Sequence, residues 1–159
     1  MLNKERQEEV VELCQHLIQK QSYSGHEDGV AGVLEEQLKK KGFDSVTVDK
    51  YGNVIGCIKG NRPGKKILFD GHIDTVPVTD ETEWQYPPFA AEIHDGKIYG
   101  RGTSDMKGAV AGFVTAAAAF AEDTKKDFAG EIYVAGVVHE ECFEGVAARE
   151  ISSFVKPDY

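Results

Sequence analysis

At 159 residues the chain fits one domain able to bury a single core, and its 41% hydrophobic content is that of an ordinary globular protein. Twenty-seven acidic against 18 basic residues give a net charge of -9, which sets aside nucleic acid and anionic membranes as partners because their phosphates would be repelled. Cys14, Cys57 and Cys142 are far apart and form no CxxC, and the first twenty residues mix Lys4, Arg6 and four glutamates with apolar positions; the expectation is therefore a cytoplasmic protein without a disulfide framework, signal peptide or membrane span.

Val10, Val11, Leu13, Cys14, Leu17 and Ile18 share one face at helical spacing, predicting a helix over roughly 3 to 20. Ser24 and Gly25 ahead of Glu27 read as a capped start for a second helix, with Val30, Val33, Leu34 and Leu38 as its apolar stripe and Lys39-Lys40-Lys41-Gly42 as its end. From Ser45 the period shortens to two. Val46 and Val48, a turn at Lys50 to Gly52, then Val54, Ile55, Cys57 and Ile58 predict a hairpin. After a Pro63-Gly64 turn, Ile67-Leu68-Phe69 reads as an interior strand covered on both faces, delivering His72 and Asp74 just past its end. Asp95-Gly96 marks a small second hairpin.

A long helix is expected to open at Asp105 and run to about Glu122, with Gly108, Ala109 and Gly112 allowing close packing. Ile132, Val134, Val137 and Val138 form a second buried strand whose end carries Glu140 and Glu141, and Glu144 to Phe154 reads as a final helix. Alternating strands and helices predict a three-layer α/β sandwich around a mixed, largely parallel sheet.

Sites in open α/β sheets form at the carboxyl ends of strands, and three such boundaries carry candidate ligands. His, Asp and Glu suit zinc and similar divalent ions. His72 and Asp74, two apart in an extended segment, project to the same side, so the Asp74 carboxylate is expected to accept from the imidazole nitrogen that faces away from the metal. Asp105 offers two oxygens to bridge two cations, Glu141 is assigned to metal, and Glu140 is left free as the general base. A metal lowers the pKa of bound water to about 7, and a general base contributes roughly 100- to 10,000-fold. Singly, an HxD, a Glu-Glu and a GRGxSDMKG stretch are ordinary polar loop, solvated pair and helix cap; together, in this order at element boundaries, they point to a metal-hydrolase site. His16, His26 and His94 read as surface residues, His139 as packing or an outer donor to the site, Arg101 as structural, and Cys142 as a buried inert thiol.

These motifs, Gly71-His72-Ile73-Asp74-Thr75-Val76-Pro77, Gly100-Arg101-Gly102-Thr103-Ser104-Asp105-Met106-Lys107-Gly108 and His139-Glu140-Glu141, resemble those of the M20 family of dinuclear metallohydrolases, which includes acetylornithine deacetylase, succinyl-diaminopimelate desuccinylase and glutamate carboxypeptidase. Ser24-Gly25-His26-Glu27, Trp84 and Pro88-Phe89 are similar as well. The resemblance implies two zinc ions, or cobalt in their place, with His72 on one, Asp105 bridging, Glu141 on the other, Asp74 orienting His72 and Glu140 as base. It implies a non-proline cis peptide at Asp105-Met106. Family members continue for about two hundred residues with a lid and dimerisation domain and further ligands. Residues 1 to 159 are thus read as the N-terminal part of one catalytic domain, one protein ligand short at each metal, with an unpaired sheet edge and an uncovered apolar face.

The expected function is hydrolysis of a linear amide in an N-acyl amino acid or small peptide by a metal-bound hydroxide, with homodimerisation in the complete protein. Two alternatives accompany it: a non-catalytic assembly module holding at most one weakly bound metal, and a single-metal enzyme using His72, Asp105 and Glu141.

Overall fold

The computed structural model describes residues 3–143 and 145–159. Helices α1 (Lys4–Ile18) and α2 (Asp28–Lys40) form where the apolar stripes place them, burying Leu13, Cys14, Leu17 and Ile18 from the first and Val30, Ala31, Leu34 and Leu38 from the second. Asn3 caps α1 by accepting the Arg6 amide at 2.9 Å. Strands β1 (Ser45–Val48) and β2 (Val54–Lys59) make the expected hairpin. Its turn is built on Asp49, whose Oδ1 accepts the amides of Tyr51, Gly52 and Asn53.

Strand β3 (Arg62–His72) follows, then the small hairpin of β4 (Glu92–His94) and β5 (Lys97–Tyr99), a π-helical turn over Thr103–Lys107, helix α3 (Gly108–Thr124), strand β6 (Ala129–Val137), a four-residue turn of helix α4 (Glu140–Phe143), and α5 (Val146–Val155). The last helix was expected from Glu144, which lies outside the described residues. The main sheet runs β1-β2-β6-β3, with α1 packed on both α2 and α3, and α5 packed on β6. This is the expected α/β sandwich, and its sheet is mixed. The balance differs from the expected one: of the three described pairings only β3 with β6 is parallel.

Close approach of α2 depends on Gly136 in β6, where an added Cβ would collide with Leu34. Gly108 is likewise tight, since a Cβ there would meet the Thr103 carbonyl oxygen, but among the described residues no atom lies within 4 Å of where a Gly112 Cβ would stand. Arg6 ties the start of α1 to the end of α3 through Glu122 and Asp123, at 2.8 and 2.7 Å.

Two expectations about β3 change. Pro63-Gly64 makes no turn between separate elements; it lies inside the strand, where the register with β6 shifts between Arg62 and Lys66. Nor is β3 covered on both faces. It stands at the end of the sheet order, and Phe69 is 43% exposed. Its outer edge is paired over a short stretch by residues 158–159: the Asp158 amide donates to the Lys66 carbonyl at 2.9 Å and the Leu68 amide to the Tyr159 carbonyl at 3.0 Å. Phe154 and Tyr159 are largely exposed. None of the described helices is long and apolar enough to cross a membrane.

Candidate metal centre

The site is assembled where β3 and β6 end side by side. His72, the last residue of β3, is in register with Val137, the last of β6, and the Ile73 amide donates to the Val137 carbonyl at 2.8 Å. Parallel pairing therefore sends Ile73-Asp74 and Val138 to Glu141 into the same space above the sheet. Val138 is held there by its amide, donated at 2.9 Å to the Asn53 side chain, which itself donates to Asp49 and to the Ala147 carbonyl. At His139 the backbone turns left-handed, with φ of 59°, and α4 starts immediately after.

Asp74 is fully buried, and its carboxylate accepts three hydrogen bonds: at Oδ1 from the Glu140 amide at 3.2 Å, and at Oδ2 from the Glu141 amide at 3.1 Å and the Ser24 hydroxyl at 2.7 Å. It therefore holds the turn that carries both glutamates. The expected contact with the imidazole is different in kind. His72 Nδ1 lies 3.0 Å from the backbone carbonyl of Asp74 and 3.6 Å from its carboxylate, because the chain beyond β3 turns the carbonyl inward.

A carbonyl only accepts, so Nδ1 carries a proton, and Nε2 faces the other side of the ring. There Asp105 Oδ1 stands 2.8 Å away. Two acceptors at that distance require a shared cation, either a proton on the imidazole or a metal ion. His72, Asp105 and Glu141 each present a ligand atom, all within 4.8 Å of one another, and among the described residues they form the cluster with metal-ligand chemistry. Histidine nitrogen with two carboxylates fits a borderline divalent ion. Burial disfavours the His72 imidazolium, but the Asp105 hydrogen bond, the Asp74 carbonyl and the charges of Asp74 and Glu140 outweigh it, and the pKa is raised. Burial likewise raises the Glu141 pKa; the His72 charge opposes it, and the neighbouring carboxylates add to it. Glu140 Oε2 lies 3.9 Å from His72 Nε2, with its side chain about half exposed.

Asp105 does not open a helix. Both it and Met106 have non-helical φ/ψ inside the turn Thr103–Lys107, the Asp105-Met106 peptide is cis as the family resemblance implied, and regular helix begins at Gly108. Gly102, at φ of 82°, starts this loop, and a Cβ there would press on Thr75 at 2.8 Å. The loop is anchored by Lys107, fully buried, whose ammonium donates to the carbonyls of Leu17 and Lys20 at 2.9 Å each. Burial pulls its pKa down to about 8. Arg101 lies over the Trp84 ring, 5.1 Å from its centroid.

Residue-type reasoning missed Lys107, which sits inside the recognised motif, and the partners of Ser24 and Glu27. Ser24 does not cap α2; Glu27 occupies that position and makes no side-chain cap bond. Its Oε1 instead accepts the His139 amide at 3.1 Å, making His139 a donor in the surroundings of the site. Cys142 is exposed rather than buried, since α4 is only one turn long and turns it outward, and it takes no part in the cluster.

The profile of peptidase family M20/M25/M40 matches residues 68–157, more than half of the chain. The chain belongs to the M20 peptidase family. Succinyl-diaminopimelate desuccinylase of Roseobacter denitrificans is 36% identical over 140 residues, a match that takes in 87% of this chain and 37% of that protein. The same enzyme of Beijerinckia indica is 39% identical over 132 residues, covering 79% and 34%. Among solved structures, an M20 family metallo-carboxypeptidase from Sulfolobus solfataricus superposes with a TM-score of 0.82 at 25% identity, over 94% of this chain and 36% of that one. Human carnosine dipeptidase 1 shares the fold, with a TM-score of 0.77 at 23% identity over 96% and 37%. The chain thus spans little more than a third of the length of the relatives it matches.

Proposed function

We propose that this M20 chain supplies the ligand-bearing and base-bearing half of a metal-dependent hydrolase that cleaves a linear amide in an N-acyl amino acid or small peptide. The observation that carries the reading is the convergence of His72 Nε2, Asp105 and Glu141 within 4.8 Å, with Glu140 beside them. Names of relatives support the substrate class: desuccinylase for the proteins of Roseobacter and Beijerinckia, dipeptidase for the human one. His72 and Glu141 would each hold one of two zinc ions, cobalt substituting, with Asp105 between them. A bound divalent ion polarises the scissile carbonyl and lowers the pKa of water.

The remaining work falls to this chain's own groups. Glu140 takes a proton from the water that attacks the acyl carbon, then delivers it to the amide nitrogen as the C–N bond breaks, leaving a carboxylate and an amine. Asp74 keeps Glu140 and Glu141 apart in direction by fixing both backbone amides, so that one serves as ligand and the other as base. The Asp74 carbonyl, accepting from Nδ1, fixes the His72 ring so that Nε2 faces Asp105.

A second reading rests on the short span relative to the relatives: the chain is an assembly module that holds an ion weakly and completes its site with further polypeptide. Zinc stoichiometry and affinity of the purified chain, beside His72→Ala, Asp105→Ala and Glu141→Ala, test both. Two tightly held ions lost in the variants, with amide hydrolysis abolished by Glu140→Ala, uphold the hydrolase reading for this chain. One weakly held ion and no hydrolysis uphold the module, and an ion retained by all three variants overturns the centre itself.

A further inference from the structure

We propose that Ser24 and Glu27 are positioning residues of the metal centre, a buckle that holds the β3 arm and the β6 arm of the site to one short segment; the inference rests on the reading of that centre as a metal site. Residues 22–27 run alongside the end of β3. The Ser22 hydroxyl donates to the Ile73 carbonyl at 2.7 Å, the Thr75 amide donates to the Ser22 carbonyl at 2.8 Å, and Tyr23 pairs with Thr75 in a parallel bridge. This alignment brings the Ser24 hydroxyl to Asp74 Oδ2, the oxygen that also accepts the Glu141 amide. The His26 amide then closes a turn on the Tyr23 carbonyl at 2.8 Å, and Glu27 follows with only 5% of its surface exposed.

The behaviour of Glu27 is the telling observation. A carboxylate at a helix cap commonly accepts amides of the first turn, yet the Glu27 side chain accepts none of them. It accepts instead from the His139 amide at 3.1 Å and lies 3.5 Å from the His139 ring. His139 is the left-handed residue that turns β6 into the Glu140-Glu141 segment, and a non-glycine residue held at positive φ needs its surroundings to hold it there. Ser24 acts on the other arm. The terminal torsion of an aspartate is broad, so a carboxylate that must accept two adjacent amides on different oxygens gains definition from a third donor. One segment thus sets the direction of Asp74 and the corner at His139, and through them the placement of Glu140 and Glu141.

The test compares Ser24→Ala and Glu27→Ala with Ser24→Thr and Glu27→Gln, which keep the hydroxyl and the accepting oxygen. Two readouts are taken on the purified chain: zinc affinity by competition with a chromophoric chelator, and amide hydrogen exchange at His139, Glu140 and Glu141 without added metal. The alanine variants should bind zinc about 10- to 100-fold more weakly, and the conservative variants should restore the affinity. Exchange protection should be lost at Glu140 and Glu141 in Ser24→Ala, and at His139 in Glu27→Ala. Leu38→Ala, a core change at the far end of α2, controls for lost stability and should leave zinc affinity unchanged. Alanine variants with native affinity, or with the three amides protected as in the unaltered chain, overturn the buckle. If the unaltered chain takes up no zinc, the metal reading falls while amide exchange still decides the buckle; if Glu27→Ala does not fold, Ser24→Ala decides it.

Discussion

The two halves of the centre are built on opposite principles. His72 and Asp74 have 6% and 0% of their side chains exposed and are locked by hydrogen bonds within the protein, whereas the Asp105 side chain is 79% exposed and Glu140 52%. On the buried side each polar atom must find a partner, because an unpaired one costs about 1–3 kcal/mol or more when charged. The exposed carboxylates are solvated, so their positions depend on backbone placement: the anchored loop before α3 for Asp105, and the Asp74-held turn for the glutamates. Order in the outer half is borrowed from the inner half.

The largest effect expected from this contrast is that of Asp74→Ala. It strands two amides and a hydroxyl in a buried setting and should cost about 3–5 kcal/mol in urea unfolding; a loss under about 1 kcal/mol would mean the inner half is not organised as described. Next comes Lys107, which anchors the loop that carries Asp105. Its folded pKa of about 8 lies below the ordinary 10.5, so the unfolded chain binds that proton more tightly between those values. Stability contributed at this position should therefore rise with pH, by up to about 3 kcal/mol between pH 8 and 10.5. Unfolding free energies of the unaltered chain and Lys107→Met, measured side by side across that range, should diverge in favour of the lysine; parallel curves would argue that its ammonium stays charged throughout. The smallest stability effect belongs to the outer half. Asp105→Ala should shift unfolding by no more than about 0.5 kcal/mol while weakening zinc binding more than the roughly 10- to 100-fold that outer partners command. A large stability loss there would erase the distinction between the halves.

Much of this arrangement is readable in the residues, and the parts that are not share a cause. Stripes such as Leu13, Leu17 and Ile18 report burial directly, and the first helix lies within two residues of where its stripe puts it. Ile67-Leu68-Phe69 misleads because an apolar run is the same whether the strand is central or terminal; only the sheet order, with β3 last, decides. Ser104-Asp105 before an apolar periodicity imitates a helix start, yet the non-helical φ/ψ of Asp105 and Met106 delay regular helix to Gly108. The left turn at His139 carries none of the usual glycine or asparagine signal. His72, Asp74, Asp105, Glu140 and Glu141 are candidates by type and spacing, and these five lie close together where β3 and β6 end. Which atom of Asp74 meets the imidazole was beyond reach, since it depends on how the chain bends after β3.

The wiring of Asp74 also bears on the order in which the molecule takes shape. Its three donors come from 50, 66 and 67 residues away along the chain, and Glu27 meets His139 across 112. Contacts of such separation bear the loop-closure entropy of the whole intervening chain and are rewarded only after the β3–β6 ladder exists. A nascent chain lacking β6 has His72 and Asp105 but not the corner that brings in the glutamates. Ion uptake at native strength therefore counts finished molecules, and no single motif excised as a peptide should reproduce it.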